Sequence, residues 1–118
     1  MSEVFNPAEV EKRIKDISDR ISKGVSVCDE RYRAFLEADR VYDSAFALAY
    51  LDHDGPAHEK KYAAELATHS QREARDVADA AYRYADRTAK ALENELRAMQ
   101  SVGASIRAMY ATAGRGEN

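Results

Sequence analysis

From Ala57 to Ala113 the chain has no proline and a single glycine, Gly103, and alanine is its commonest residue there. A stretch so free of helix breakers and so rich in the best helix former reads as one long helix. At the α-helical rise it runs on the order of 80 Å. An apolar stripe on such a rod outruns what the rest of a 118-residue chain can cover. The sequence therefore predicts a partner for it, and first of all other copies of itself.

The elements before that rod are also helical. Asn6-Pro7-Ala8-Glu9 is a helix start, with Asn6 as cap and Pro7 in the first helical position. Val10, Ile14, Ile17 and Ile21 follow at steps of four, three and four, which is a coiled-coil seam. Lys23-Gly24 reads as a stop, so a first helix is predicted over 6–24, although one continuous kinked helix fits the pattern as well. A middle helix over 26–51 carries Tyr32, Phe35, Tyr42, Phe46 and Ala49 near one face. Asp52-His53-Asp54-Gly55-Pro56 is the strong interior turn signal.

The long helix is placed at 57–112, with a frayed tail over 113–118. Its seam is read as Val77, Ala81, Tyr84 and Thr88, then Leu92, Leu96, Met99, Gly103, Ile106 and Tyr110. The extra steps of four between Thr88 and Leu96 form a stutter, which relaxes a left-handed supercoil. Earlier in that helix the inward face is thin: Ala63, Leu66, Ser70 and Ala74. The expected fold is all-α, one elongated helical hairpin or bundle over 1–118, with the long helix folded back antiparallel and coiled-coil-like packing. The middle helix covers about half of the long one, so the residues beyond Thr88 need the first helix or another subunit. Leu92, Leu96, Met99, Gly103, Ile106 and Tyr110 are the expected oligomer interface.

Composition narrows the function. One third of the residues are charged (33%), and there is no Trp. Mean hydropathy is −0.63, which suits an extended helical protein better than a thick-cored globule. Net charge is −3. Residues 1–56 hold eight Lys/Arg against twelve Asp/Glu, a balance of −4, while residues 57–113 hold nine against eight, a balance of +1. The acidic first half raises a DNA-mimicking inhibitor as a weak third possibility. The single cysteine, Cys28, excludes an intrachain disulfide and favours a reducing, cytoplasmic setting. No hydrophobic leader opens the chain, and no run approaches a membrane span.

Catalytic and metal chemistry find little support. Asp52, His53, Asp54, His58 and Glu59 surround the turn, but His53 and His58 are five apart across the Gly-Pro break. Glu65 and His69 have i,i+4 spacing and stand alone. Cys28 lies near the predicted second helix start, where a thiol is activated, yet it has no identifiable base and reads more simply as a small seam residue. No enzyme, metal or cofactor is expected.

A basic stripe carries more weight. Arg72, Arg83, Arg87, Lys90 and Arg97 project within about 80° of one another at the helical 100° per residue, opposite the apolar seam. Phosphate binding is the sharp reading. A solvated face is the plain one, since Asp76 and Asp79 interrupt the stripe and Glu93–Arg97 and Asp86–Lys90 are i,i+4 pairs. Tyr32, Tyr42 and Tyr84 read as apolar anchors; Tyr50, Tyr62 and Tyr82 lie nearer the edges, where bases could stack.

Ala98-Met99-Gln100-Ser101-Val102-Gly103-Ala104-Ser105-Ile106-Arg107 resembles the final helix of the recombination-mediator proteins of T-even-type phages, in which an alanine-aliphatic-polar-Ser segment precedes Gly, Ile and a basic residue. Tyr84, Leu96 and the passage from Tyr50 to Gly55 extend the likeness over about residues 32–110. The resemblance implies a small helical protein that forms a ring-like homo-oligomer, binds single-stranded DNA, and helps load a recombinase onto strands coated by a single-strand binding protein. That family carries basic residues on the helix before the glycine turn. Here Asp43–Tyr50 has none. Either the DNA contacts have moved to Lys60, Lys61, Arg72, Arg83, Arg87, Lys90 and Arg97, or the function differs. The alternative is a non-enzymatic helical assembly or scaffold protein acting through protein–protein contacts, for which the charges on Arg83 and Arg87 are dispensable.

Overall fold

The computed structural model describes residues 6–116. The first five residues and the last two of the tail lie outside that range. The protein is all-α: α1 (Pro7–Asp52), α2 (Ala57–Ala67) and α3 (His69–Gly116), with no strand among the described residues. Asn6 caps α1, its Oδ1 accepting from the Glu9 N–H at 2.9 Å and its carbonyl from the Val10 N–H at 3.1 Å. The turn at His53–Pro56 separates α1 from α2 as the sequence predicts.

Three element boundaries differ from the expected ones. There is no stop at Gly24: a single helix replaces the predicted 6–24 and 26–51 pair. A glycine inside a helix costs about 1 kcal/mol, and here the inward row continues straight through it, from Ile21 to Gly24 to Cys28, so packing carries the helix across. Conversely, the predicted 57–112 helix is interrupted at Thr68, where φ and ψ are −114° and 20°. No Gly or Pro marks the spot. Thr68 is buried, and its hydroxyl donates to the Ala64 carbonyl at 2.6 Å, beside its own N–H at 3.1 Å. Such back-bonding by threonine bends helices. Finally, α3 continues to Gly116 where a tail from 113 was expected; the Thr112 hydroxyl donates to the Ala108 carbonyl at 2.9 Å in that last stretch.

The packing falls into two compact units, one made of the chain up to Ser26 with Arg87 onward, the other of Val27–Asp86. In the first, Val10, Ile17, Leu92 and Met99 are buried together, and Ile14, Ile21, Leu96, Val102 and Ile106 pack against them. This is a true apolar core of two facing seams. Gly103 is closely packed there: a Cβ would lie 3.1 Å from Cγ1 of Val10, a residue only 2% exposed.

In the second unit the helices run antiparallel, so rising numbers on α1 meet falling numbers on α2 and α3. Tyr32 packs on Tyr82, with ring centroids 5.1 Å apart. The Arg75 guanidinium lies 4.6 Å from the centre of the Tyr42 ring and 3.8 Å from Asp39. Lys60 Nζ sits 5.8 Å from the centre of the Tyr50 ring. The buried side chains of this unit are all small: Ala64, Thr68 and Ala85.

These contacts correct the predicted seam of α3. The residues turned inward are Gln71, Arg75, Ala78, Tyr82 and Ala85, then Ala89, Leu92, Leu96, Met99, Gly103 and Ile106, an unbroken alternation of four and three. There is no stutter. Val77 and Tyr84, on which the expected stutter rests, are 64% and 74% exposed. Thr88 is exposed too, and Ala81 only half-buried. Apolar bulk pointed to the wrong row, because α1 offers aromatic rings that an arginine and a tyrosine can cover. For the same reason Tyr82, expected at an edge, is interior. Around Thr68 the buried residues are Ala64 and Thr68; of the row expected inward, Ala63 is half-buried while Leu66, Ser70 and Ala74 are exposed.

Candidate nucleic-acid interface

Four of the seven expected phosphate contacts belong to the second unit. Lys60 is half-buried over Tyr50, so its charge is partly committed to the ring. Lys61 and Arg72 on α2 and α3 are exposed. Arg83 Nε donates to both carboxylate oxygens of Asp79, each at 3.1 Å. The Arg83 side chain stays largely in water while that of Asp79 is half-buried, so solvent still screens the pair. The other three lie in the first unit: Arg87, Lys90 and Arg97, all exposed. Arg97 Nη1 donates to Asn94 Oδ1 at 3.2 Å, at i−3, in place of the expected Glu93. Lys61, Arg72 and Arg87 make no side-chain ion pair with the described residues.

One cation of consequence lies outside the basic stripe. Arg75 was absent from the stripe, and it turns inward: its Nη2 lies 3.3 Å from Asp76 while its plane covers Tyr42. The available signal was spacing, since Arg75 falls on the alternating step between Gln71 and Ala78. The expected oligomer interface also sits differently. Leu92, Met99 and Gly103 are buried and Leu96 and Ile106 half-buried, all covered by α1 of the same chain; Tyr110 stays 60% exposed.

Cys28 is far inside α1 rather than near a helix start, half-buried on the inward row. That removes the helix-terminus argument for an activated thiol. Around the turn, His53 Nε2 lies 3.5 Å from Glu59 Oε2 and is otherwise buried without a hydrogen-bond partner among the described residues. The imidazole folds over Gly55, where a Cβ would meet Nε2 at 2.6 Å, so glycine is the residue that fits there. His58 and His69 are exposed. Among the described residues no three His, Cys, Asp or Glu side chains are grouped to hold a metal ion, and no helix is long and apolar enough to cross a membrane. Comparison of the chain with protein-family models, with curated proteins and with solved structures returns no match.

Proposed function

We propose that this protein is an oligomeric single-stranded DNA binder of the recombination-mediator kind, acting by electrostatic positioning with no covalent step. The observation that carries the reading is the exposure of the outward cations, with Lys61, Arg72 and Arg87 free of carboxylate partners among the described residues. Such groups neutralise phosphates and release counterions, and a modest affinity per subunit is multiplied when several subunits engage one strand. On this reading a recombinase and a single-strand binding protein are the protein partners. Binding of a labelled single-stranded oligonucleotide at about 50 and 200 mM salt tests it, because phosphate contacts make affinity fall steeply with salt. The expected result is binding at the lower salt that weakens at the higher and is lost in a Lys61→Glu, Arg72→Glu, Arg87→Glu variant. Absence of binding at the lower salt overturns the reading.

A second reading, a helical assembly protein with no nucleic-acid role, is favoured by one observation. Ten large hydrophobic side chains of the second unit are exposed, from Val27 to Tyr84, where the first unit exposes Val25, Met109 and Tyr110. Under it, that triple charge reversal leaves assembly untouched and no oligonucleotide is bound.

A further inference from the structure

The outward row of α3 changes character where the helix passes from the second unit to the first. From Arg72 it runs through Asp76, Asp79, Arg83, Arg87, Lys90, Asn94, Arg97, Ser101 and Ser105 at steps of three and four. In the second unit it holds two arginines and two aspartates, and Arg83 Nε already donates to both oxygens of Asp79. From Arg87 to Ser105 it holds three cations, an amide and two hydroxyls, and no carboxylate. All six of those residues are exposed. The nearest carboxylates, Asp86, Glu93 and Glu95, stand to the sides, about 70°, 90° and 110° from the middle of the row at 100° per residue.

The units differ in total charge in the same sense. Residues 27–86 hold eight Lys/Arg against thirteen Asp/Glu, a balance of −5. Residues 1–26 with 87–118 hold ten against eight, a balance of +2. A polyanion that approaches Lys61, Arg72 or Arg83 therefore meets a negative unit, and one that approaches Arg87, Lys90 or Arg97 meets a positive one. Arg97 Nη1 uses only the Oδ1 of Asn94, at 3.2 Å, which leaves the Asn94 N–H groups and the rest of the guanidinium to a ligand. Ala91 and Ala98 beside the row are small and exposed, so a strand can lie close to the helix. The row contains no aromatic ring, so it offers contacts to phosphates and nothing for a base to stack on.

We infer that Arg87, Lys90, Asn94, Arg97, Ser101 and Ser105 form the track on which a nucleic-acid strand lies, held by its phosphodiester backbone without base recognition. This deepens the function proposed above and rests on it. Of the seven expected phosphate contacts, Arg87, Lys90 and Arg97 carry binding, while Lys60, Lys61, Arg72 and Arg83 belong to a solvated face. Charge complementarity selects the occupant. The row itself holds no apolar side chain, which the core of a protein interface or a helix that inserts into a bilayer requires. At the α-helical rise it spans about 27 Å, room for several phosphates.

The test compares two charge-matched variants of the full chain for binding of a labelled single-stranded oligonucleotide of mixed sequence between about 50 and 200 mM salt. Arg87→Gln, Lys90→Gln, Arg97→Gln is expected to lose at least about tenfold in affinity at the lower salt, with a log–log salt slope shallower by about two, as for three lost contacts to a single strand. Lys61→Gln, Arg72→Gln, Arg83→Gln removes the same charge from the second unit and is expected to stay within about threefold, its slope unchanged. Ser101→Glu with Ser105→Glu, which puts carboxylates into the row, is expected to behave like the first variant. All these positions are exposed, so helical circular dichroism should match the wild type throughout. Equal losses in the two triple variants, a larger loss in the second, or capture of phosphatidylserine vesicles in place of the oligonucleotide overturns the inference. A wild type that binds no oligonucleotide at the lower salt sinks the proposed function itself. A wild type that binds, with the loss falling on the second triple variant, leaves that function standing and removes only the track.

Discussion

The two packing units solve the same problem with different residues. In the first, aliphatic side chains from α1 and α3 bury one another: Val10 and Ile17 on one helix, Leu92 and Met99 on the other. In the second, the interior holds alanines, a threonine and an arginine stacked on tyrosine, and the larger apolar groups stand outside. Burial contributes about 25 cal/mol for each Å² of apolar surface removed from water. The first unit thus carries more of the stability of the single chain, and the second leaves its larger apolar groups in contact with water. The outward charges are distributed over both units, whereas most of the exposed large apolar side chains among the described residues belong to the second.

Truncation gives the largest contrast. Ile17→Ala or Leu92→Ala in the first unit should cost about 2–4 kcal/mol in urea unfolding, the range for aliphatic-to-alanine changes in a packed core. Leu48→Ala or Val77→Ala, in dilute solution where the chain is alone, should change stability by less than about 0.5 kcal/mol. Equal losses at the four positions would erase the distinction between the units.

The glycines sharpen the comparison at smaller scale. Gly103 and Gly24 are both helical and both in the first unit, yet opposite signs are expected. Gly103→Ala places a methyl 3.1 Å from the enclosed Val10, and overpacking there should outweigh the better helix propensity, a net loss of about 1 kcal/mol. At Gly24 a Cβ meets nothing within 4 Å, so Gly24→Ala should gain about 0.5–1 kcal/mol. Thermal unfolding of the two variants reads both. A gain at Gly103 would mean that the core of the first unit is looser than its burial suggests.

Much of this architecture is legible in the sequence. Asn6-Pro7 marks the first helix start, His53–Pro56 marks the hairpin turn, and the isoleucine seam from Val10 to Ile21 faces inward as its spacing says. Those features are local, and each has one physical outcome. Gly24 misleads because a lone helix-weakening residue is cheap when the rows on either side of it stay in phase. Thr68 escapes because a hydroxyl that bends a helix looks, in sequence, like any other polar residue. The row choice in α3 fails for a third reason. Two apolar rows run side by side from Ala74 to Tyr84, and only the rings of Tyr32 and Tyr42 across the hairpin decide that Arg75 and Tyr82 go in while Val77 and Tyr84 go out. For the candidate interface, the sequence shows the spacing of the outward cations along the helices. It does not tell that Arg83 answers to Asp79 or that Lys60 leans on Tyr50.

The contrast between a self-sufficient unit and one left open is tested most directly by amide hydrogen exchange at two protein concentrations, resolved by peptide. The account predicts strong protection at both concentrations for segments around Val10–Ile21 and Leu92–Ile106, which belong to the buried cluster. It predicts weaker protection around Val41–Leu51 and Val77–Tyr84, rising as concentration is raised. Uniform protection along the chain, or protection of those outer segments that ignores concentration, would contradict it.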